Sequence, residues 1–412
     1  MPCQVPRGSC LVRRLFVTPS RIFYLPPTIH SENRVLRKFD ADHVLRVSFR
    51  DDHFEVLSHT LGVHPQKEQM MDVVVGRFLK HGLKIGDRHF RLLASSASQL
   101  RDHGDPQGNT VESIRAWMGD FSTMPDVAKK IARMGQCFST TEESVTVPLY
   151  GGTMEEAADI VGGTHPQSRK PYVFSDGIGM ISEPLMKKVC AKLDLEQVPS
   201  AIQIRYAGYK GMLCTNNALE GDKLVLRKSM NKFACSTSDS LEVIKVSAPS
   251  PLFLNRPLIT ILEQLGVPGR VFLSLQQSMV LQLCDAFESN EAALNVLCTY
   301  TNASLPFLKL HLRGMALSRE PFTRSLLLAV YKHMIGECSG TVLVTKCPCL
   351  HPGDVRKFVA VDVPALRHIR DCIVFPARGP RPHPNEMAGM PLSSLLSAIV
   401  ACCPKIGVCR TR

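Results

Sequence analysis

Three strand-like segments separated by glycine-containing turns lie in the middle of this chain, and they constrain its fold most strongly. They read PYVFSDGIGMIS (171–182), IQIRYAGYKGMLCT (202–215) and DKLVLRKSMNKF (222–233). Each segment is rich in β-branched, aromatic and other apolar residues, and glycines mark turns between short strands. Short strands joined by such turns predict a small β-barrel.

The same segments carry a cluster of basic residues. Between residues 205 and 232 the only acids are Glu220 and Asp222, whereas the basic residues are Arg205, Lys210, Lys223, Arg227, Lys228 and Lys232. A solvated sheet rim is an alternative that charge alone does not exclude. GYKG (208–211) favours a phosphate site, because its glycines allow a ligand close to the backbone and its lysine attracts phosphate. Phosphoryl transfer needs positive charge of this kind.

Composition favours an anionic partner and a reducing compartment. The formal net charge is +12 and the pI is about 9.1, which favours a partner such as nucleic acid. The 15 cysteines are unevenly spaced, and no secretory leader is recognised, so reduced thiols in the cytoplasm or nucleus are expected. The apolar stretch at 395–403 is far shorter than the roughly 20 residues of a membrane span, so no membrane contact is expected.

Short motifs of other enzyme and metal-binding classes are absent or lack the sequence context that their function requires. There is no Walker A sequence, and DGIG (176–179) lacks the third glycine of a dinucleotide fingerprint, so a hairpin turn is the better interpretation. GECSG (336–340) lacks the strand-then-helix order of a hydrolase elbow. Cys347, Cys349 and His351 alternate without a second ligand pair, which argues against zinc. No three closely alternating acids occur, so no metal ligand is assigned.

Other parts of the chain give further expectations. Residues 15–60 alternate like strands, and a helix is expected around Gln66 to Leu83. The stretch at 162–171, GGTHPQSRKP, predicts a domain boundary. Residues 255–267 have helical spacing with Asn255 as the N-cap, and short strands are expected at 341–375.

The stretch MPDVAKKIARMGQ (124–136) predicts a helix. Its apolar residues Val127, Ile131 and Met134 recur at helical spacing, which predicts a common face. Gly135 follows them and is expected to stop the helix.

Seven stretches together resemble the cellular RNA-dependent RNA polymerases of RNA silencing. They are SIRAWMGDFS (113–122) with the KKIARMGQCFSTT that follows, PYVFSDGIGMIS (171–182), IQIRYAGYKGML (202–213), LRKSMNKF (226–233), NRPLITILEQLGV (255–267), CLHPGDVR (349–356), and the PHPNEMAG that ends at 389. The resemblance covers about residues 15–389.

The resemblance implies an α+β fold built on a double-psi β-barrel polymerase core. We expect an N-terminal α/β region at 1–161, a first barrel at 162–250 and a helical connector at 251–340. We also expect an incomplete second barrel at 341–389, whose strands would lack partners, and a divergent tail at 390–412. IGECSG (335–340) replaces a longer stretch of the family.

The resemblance also implies the chemistry. The family copies single-stranded RNA into double-stranded RNA, and its matching lysines here are Lys210 and Lys232, expected to be catalytic. The other basic residues expected to bind RNA or nucleotide are Arg205, Arg227 and Lys228. The implied partners are a single-stranded RNA template, nucleoside triphosphates and RNA-silencing proteins.

The family's cofactor is Mg²⁺, held by an Asp-x-Asp-Gly-Asp loop. This chain diverges at Met390, immediately before the position of that loop. A truncated isoform or a faulty gene model is therefore expected, without polymerase activity of its own. The alternative function is a catalytically inactive RNA-binding or scaffold fragment.

Overall fold

The computed structural model describes residues 5, 8–55, 71–96, 99–103, 110–248, 256–300, 310–311, 313–320, 323, 327, 341–345, 349–359, 366, 368–369, 372–387 and 399–403. The chain forms two compact units. One contains residues 1–159 and 176–246, and the other contains 160–175 and 247–412. Both units mix helices and strands, in agreement with the α+β class predicted from the sequence.

A six-stranded sheet begins the first unit. Its strands are β1 (Ser9–Val17), β2 (Ile22–Ser31), β3 (Val44–Phe49), β4 (Leu83–Ile85), β5 (Arg88–Ser96) and β6 (Gln99–His103), in the order β2-β1-β3-β6-β5-β4. Alternate residues of β1 and β3 face inwards, among them the buried Leu15, Val17 and Leu45. The strand-rich pattern predicted within residues 15–60 is therefore confirmed.

Short helices flank this sheet. They are α1 (Arg34–Lys38), a π-helical turn (Asp72–Gly76) and α2 (Arg77–His81). The helix expected around Gln66 to Leu83 is thus present from Asp72 to His81, and residues 66–70 lie outside the described ranges. Gly82 ends α2 because its φ of +74° suits glycine.

Two further helices follow the six-stranded sheet in the sequence, α3 (Val111–Met118) and α4 (Val127–Met134). Asp126 caps α4. The helix is present as predicted, but of the three apolar residues only Met134 is buried, whereas Val127 is 68% and Ile131 41% exposed. The α-helix ends at Met134 with Gly135 as its C-cap, as predicted. The φ of Gly135, −57°, is right-handed, and a 3₁₀ helix continues from Gly135 to Phe138.

A seven-stranded sheet forms the centre of the first unit. Its strands are β7 (Glu142–Thr146), β8 (Met154–Ala157), β11 (Ile178–Ser182), β12 (Ala201–Tyr206), β13 (Tyr209–Asn216), β14 (Leu224–Arg227) and β15 (Ser240–Val246). Their order is β7-β15-β12-β13-β11-β14-β8. The helix α5 (Glu183–Leu193) buries Leu185, Met186 and Val189 in the core of this sheet. Strands β7 and β8 precede residue 162, so the sheet starts earlier than the boundary expected from the sequence.

The Asp176-Gly177 turn leads into β11, but it does not form the predicted hairpin. The preceding strand β10 (Tyr172–Val173) pairs with β9 (Val161–Gly162), whereas β11 pairs with β13 and β14. Gly177 has a φ of +78°, and its carbonyl accepts a hydrogen bond from Met212 N at 2.9 Å. The turn therefore helps to hold β11 against β13 in the sheet.

The second unit contains three longer helices, α6 (Arg256–Gln264), α7 (Gly269–Glu288) and α8 (Asn290–Tyr300). Leu258 and Ile261 of α6 pack with Cys349. Asn255, the expected N-cap of α6, lies outside the described residues.

Short strands follow these helices. They are β16 (Thr341–Val344), β17 (Arg356–Val359), β18 (Cys372–Pro376) and β19 (Ile399–Cys403), with α9 (His383–Glu386) between the last two. Strands predicted at 341–375 are confirmed for the residues of that range that the structure describes, and residues 346–348 and 360–365 lie outside them. The expectation that these strands lack partners is wrong, because β16 pairs with β17 and β18 pairs in parallel with β19 of the tail.

Candidate functional site

The hairpin formed by β12 and β13 positions the first candidate lysine. Its two turn residues, Ala207 and Gly208, have φ values of +44° and +84°, as in the type I′ turns that suit the twist of paired strands. A Cβ on Gly208 would lie 1.9 Å from the carbonyl oxygen of Phe233. Only glycine therefore lets this turn pack against the segment that carries Lys232.

Lys210 lies opposite Arg205 in the register of this hairpin. Burial, together with the charges of Arg205, Arg133 and Lys232, lowers the pKa of Lys210 to about 8. Burial also lowers the pKa of Arg205, to about 10. Arg205 donates from Nη2 to Ser139 Oγ at 3.4 Å. The hairpin thus holds two cations side by side in a partly buried place.

Lys232 lies on the loop after β14, beside the hairpin turn. Its backbone N donates to the carbonyl oxygen of Gly208 at 3.0 Å, and its Nζ donates to the carbonyl oxygen of Ser229. Burial lowers the pKa of Lys232, an effect that Asp176 opposes and Arg133 adds to. Lys210 and Lys232 are therefore brought together, as the sequence resemblance implies.

Two aspartates lie near the lysines. Both carboxylate oxygens of Asp159 accept hydrogen bonds from Ser229, from N at 2.8 Å and from Oγ at 2.7 Å. Burial raises the pKa of Asp176, although Lys232 acts to lower it. Asp159 therefore holds the loop, and both aspartates partly balance the charge of Lys232.

Arg133 is a site residue that the sequence reasoning missed. It lies in the last turn of α4, and its charge lowers the pKa of both Lys210 and Lys232. The Nε atoms of Arg133 and Arg205 are buried and have no hydrogen-bond partner within the described ranges. The available signal was the basic spacing of Lys129 and Arg133, one helical turn apart.

The remaining two predicted residues lie elsewhere. Arg227 is 9% exposed, and it donates to the carbonyl oxygens of Ile178, at 3.0 Å, and Ala158. Its guanidinium thus holds β14 to neighbouring backbone, and this placement argues against the RNA contact expected of it. Lys228 is exposed at the start of a short 3₁₀ helix (Lys228–Met230). The structure does not bring either residue into the lysine cluster.

The described residues do not fit the Mg²⁺ site of the family. Among them, no group of three or more His, Cys, Asp or Glu side chains could hold a metal ion. The nearest acid pair, Asp159 and Asp176, includes one carboxylate that Ser229 already occupies. Cys349 is buried, His351 is exposed, and Cys347 lies outside the described part. No catalytic step is therefore assigned to a metal here.

The fold and the site together define a class. The curled, mixed β-sheet is typical of a barrel-type protein. Its hairpin brings together lysines of lowered pKa, which form a site suited to phosphate. A family model described as RNA dependent RNA polymerase matches residues 17–339 and 336–390. The chain belongs to this family, which confirms the resemblance seen in the sequence.

Curated relatives agree. The chain is 37% identical over 448 residues to "RNA-dependent RNA polymerase 1" of Arabidopsis thaliana, covering 93% of this chain and 39% of that protein. It is 36% identical over 434 residues to "Probable RNA-dependent RNA polymerase 1" of Oryza sativa subsp. japonica, covering 90% and 57% respectively. The chain thus spans less than two thirds of the length of these relatives.

A solved structure shares the fold. "RNA dependent RNA polymerase QDE-1 from Thielavia terrestris" aligns with a TM-score of 0.67 at 20% identity, covering 97% of this chain and 55% of that one. The likeness confirms the predicted α+β fold of the double-psi barrel type.

Proposed function

We propose that this chain carries the lysine-bearing barrel of an RNA-directed RNA polymerase of the RNA-silencing type. Such an enzyme copies single-stranded RNA into double-stranded RNA from nucleoside triphosphates. The observation that carries the proposal is the pairing of Lys210 and Lys232 at the hairpin turn, since Lys232 N bonds directly to Gly208 O. Family membership supports the same conclusion.

The lysines are suited to binding phosphate. With a pKa of about 8, Lys210 is mostly protonated at neutral pH and supplies positive charge. Partial burial reduces competition from water, which strengthens attraction to a phosphate oxygen. Lys210 and Lys232 would therefore orient phosphates and stabilise the negative charge that develops during nucleotidyl transfer.

The cofactor, partners and location follow from family membership. Mg²⁺ is the cofactor that the family implies, but the described residues of this chain do not supply its ligands. Single-stranded RNA, nucleoside triphosphates and RNA-silencing proteins are the proposed partners. Within the described ranges, no helix has the length and apolar character needed to cross a membrane. Cysteines such as Cys137, Cys190 and Cys284 are free thiols, which supports the cytoplasm or nucleus.

An RNA-binding scaffold is the second candidate. It is favoured by the observation that no metal-binding group of side chains occurs among the described residues. A scaffold would need RNA affinity but no affinity for nucleoside triphosphates. Nucleotide binding at the lysines therefore separates the two candidates.

The test measures binding of ATP and of a single-stranded RNA oligonucleotide to the purified chain at low salt. Lys210→Ala and Lys232→Ala should each weaken ATP binding by about tenfold, the equivalent of one lost charge-assisted contact. Lys187→Ala is the matched control, because Lys187 forms an exposed surface pair with Glu183. ATP binding that neither lysine change alters would overturn the proposal, and RNA binding without ATP binding would favour the scaffold.

Polymerisation is measured in the same preparation with template, four nucleoside triphosphates and Mg²⁺. We expect this chain alone to bind nucleotide without making RNA, because its sequence contains no three closely alternating acids. Template-dependent RNA that disappears in Lys210→Ala would contradict that expectation while supporting the wider proposal.

A further inference from the structure

Positive charge exceeds negative charge in the lysine site. Arg133, Arg205 and Lys232 all act on Lys210, and Arg133 and Lys129 act on Lys232. The facing acids are fewer: Asp176 and Asp159 act on Lys232, and Glu242, opposite Arg205 on β15, acts on Arg205. A partly buried cluster of like charge favours an anion that neutralises it.

The end of α4 fixes Arg133 at this site. Met134, the next residue, is buried in the hydrophobic cluster that also contains Met118 and Phe138. The chain then continues through the 3₁₀ helix to Ser139, which accepts the hydrogen bond from Arg205. The helix end is therefore tied to the hairpin, and Arg133 is held near the lysines by packing.

The two guanidinium groups have unused donors. The Nε atoms of Arg133 and Arg205 are buried, and no acceptor bonds to them within the part of the chain that is described. A buried donor without an acceptor costs about 1–3 kcal/mol. An anion with several oxygens would supply the missing acceptors.

We propose that Arg133 is a third phosphate-binding side chain of this site, and that it takes the triphosphate of a nucleoside triphosphate. This inference rests on the proposed function. The cations come from α4, the hairpin and the loop after β14, and all of them act on Lys210. A triphosphate carries several negative charges close together and so matches a compact group of cations, whereas an RNA strand spreads its phosphates along its length.

The experiment compares Arg133→Gln with Lys130→Gln in the full chain. Both changes remove one positive charge from α4, but the charge of Lys130 acts on Asp120. Calorimetry would measure binding of ATP, AMP and a single-stranded RNA oligonucleotide. Arg133→Gln should weaken ATP binding by about tenfold or more and AMP binding by less than about threefold, because a bidentate phosphate contact is lost. Lys130→Gln should change neither.

A second measurement reports the charge of Arg133 independently of any ligand. The pH dependence of Lys210 acylation, followed by mass spectrometry, gives the pKa of Lys210. Arg133→Gln should shift that profile to higher pH, since a neighbouring positive charge is removed. Arg133→Lys keeps the charge, so it should keep the profile near that of the native chain and recover part of the ATP affinity.

The outcomes separate the two proposals. If Lys210→Ala weakens ATP binding and folded Arg133→Gln does not, the role of Arg133 is overturned and the proposed function stands. If Arg133→Gln weakens RNA binding alone, Arg133 faces RNA and the triphosphate assignment is overturned. If the native chain binds no ATP, both proposals fail. Should Arg133→Gln not fold, unchanged ATP binding in folded Arg133→Ala would also overturn the inference.

Discussion

Arg205 and Lys210 face each other directly across the β12–β13 hairpin, one residue pair away from its turn. Like charges in directly opposed positions destabilise a sheet, and burial makes both charges harder to maintain. Arg205 is partly balanced by Glu242, which lies opposite it on β15, and it bonds to Ser139. The charge of Lys210 beside it has a cost for folding that the proposed binding of an anion explains, and the following outcomes test this.

Removing the charge of Lys210 should stabilise the unliganded chain. Lys210→Met keeps an unbranched side chain and removes the repulsion with Arg205, so the free energy of unfolding should rise by about 1 kcal/mol. Urea unfolding at neutral pH measures it. Lys187→Met serves as the surface control and should change stability little. A lower urea midpoint for Lys210→Met would contradict the view that this lysine is retained for binding.

Nucleotide affinity should depend on pH through Lys210. Its pKa is lowered to about 8, so the side chain is charged below that pH and neutral above it. ATP affinity should therefore fall as the pH rises from 7 to 9. In Lys210→Arg the side chain stays charged over this range, and the fall should be much smaller. An identical fall in both proteins would assign the titration to another group.

The same pKa shift predicts a rise in stability at higher pH. In the unfolded chain Lys210 keeps its ordinary pKa of 10.5, whereas the folded value is about 8. Between these values the unfolded chain binds more protons, so the free energy of unfolding should increase as pH rises from about 8 to 10.5. Urea midpoints over this range measure the effect, and Lys210→Met should reduce the increase. An equal increase in the variant would exclude Lys210 as its source.

Gly208 should tolerate no side chain. Gly208→Ala would bring a Cβ within 1.9 Å of the Phe233 carbonyl oxygen at a φ of +84°, and we expect a loss of about 3 kcal/mol or more. Gly221→Ala is the matched control, because its φ is +65° but no atom lies within 4 Å of the added Cβ. It should lose only about 1–2 kcal/mol. Equal losses in urea unfolding would show that the close contact has no effect.

Cys235 should react faster with iodoacetamide than Cys137. Burial raises the pKa of Cys235, but hydrogen bonds from Arg34 at 3.3 Å and with Thr237 outweigh it, so the net pKa is lowered. Cys235 also lines a cavity of about 590 Å³. Burial raises the pKa of Cys137 to about 12, which suppresses its thiolate.

Mass spectrometry of the native chain near pH 7.5 measures both alkylation rates. Arg34→Gln should slow alkylation of Cys235 and leave that of Cys137 nearly unchanged. Equal rates for the two cysteines in the folded chain would contradict the assignment.

Local patterns in the sequence predicted the barrel strands, whereas the paired lysines came from the family resemblance. Strand periodicity and turn glycines are properties of neighbouring residues, so β12, β13 and β14 could be predicted from the amino-acid sequence alone. The placement of Lys232 beside Lys210 followed from family resemblance, because the hydrogen bond between Lys232 and Gly208 is a tertiary contact.

Other features depended on contacts that local patterns do not contain. Val127 and Ile131 have the spacing of a buried helix face, yet they are exposed, because spacing does not say which face a neighbour covers. Arg227 has the charge of a phosphate ligand but binds backbone carbonyls instead. Arg133 was missed because its nearness to the lysines depends on how α4 packs.

The hydrogen bond from Lys232 N to Gly208 O joins two stretches of backbone at the tip of one hairpin. A hinge motion of that tip would carry both lysine backbones together and preserve their separation. The two lysine-bearing segments therefore form one unit, and a displacement of either one displaces the other.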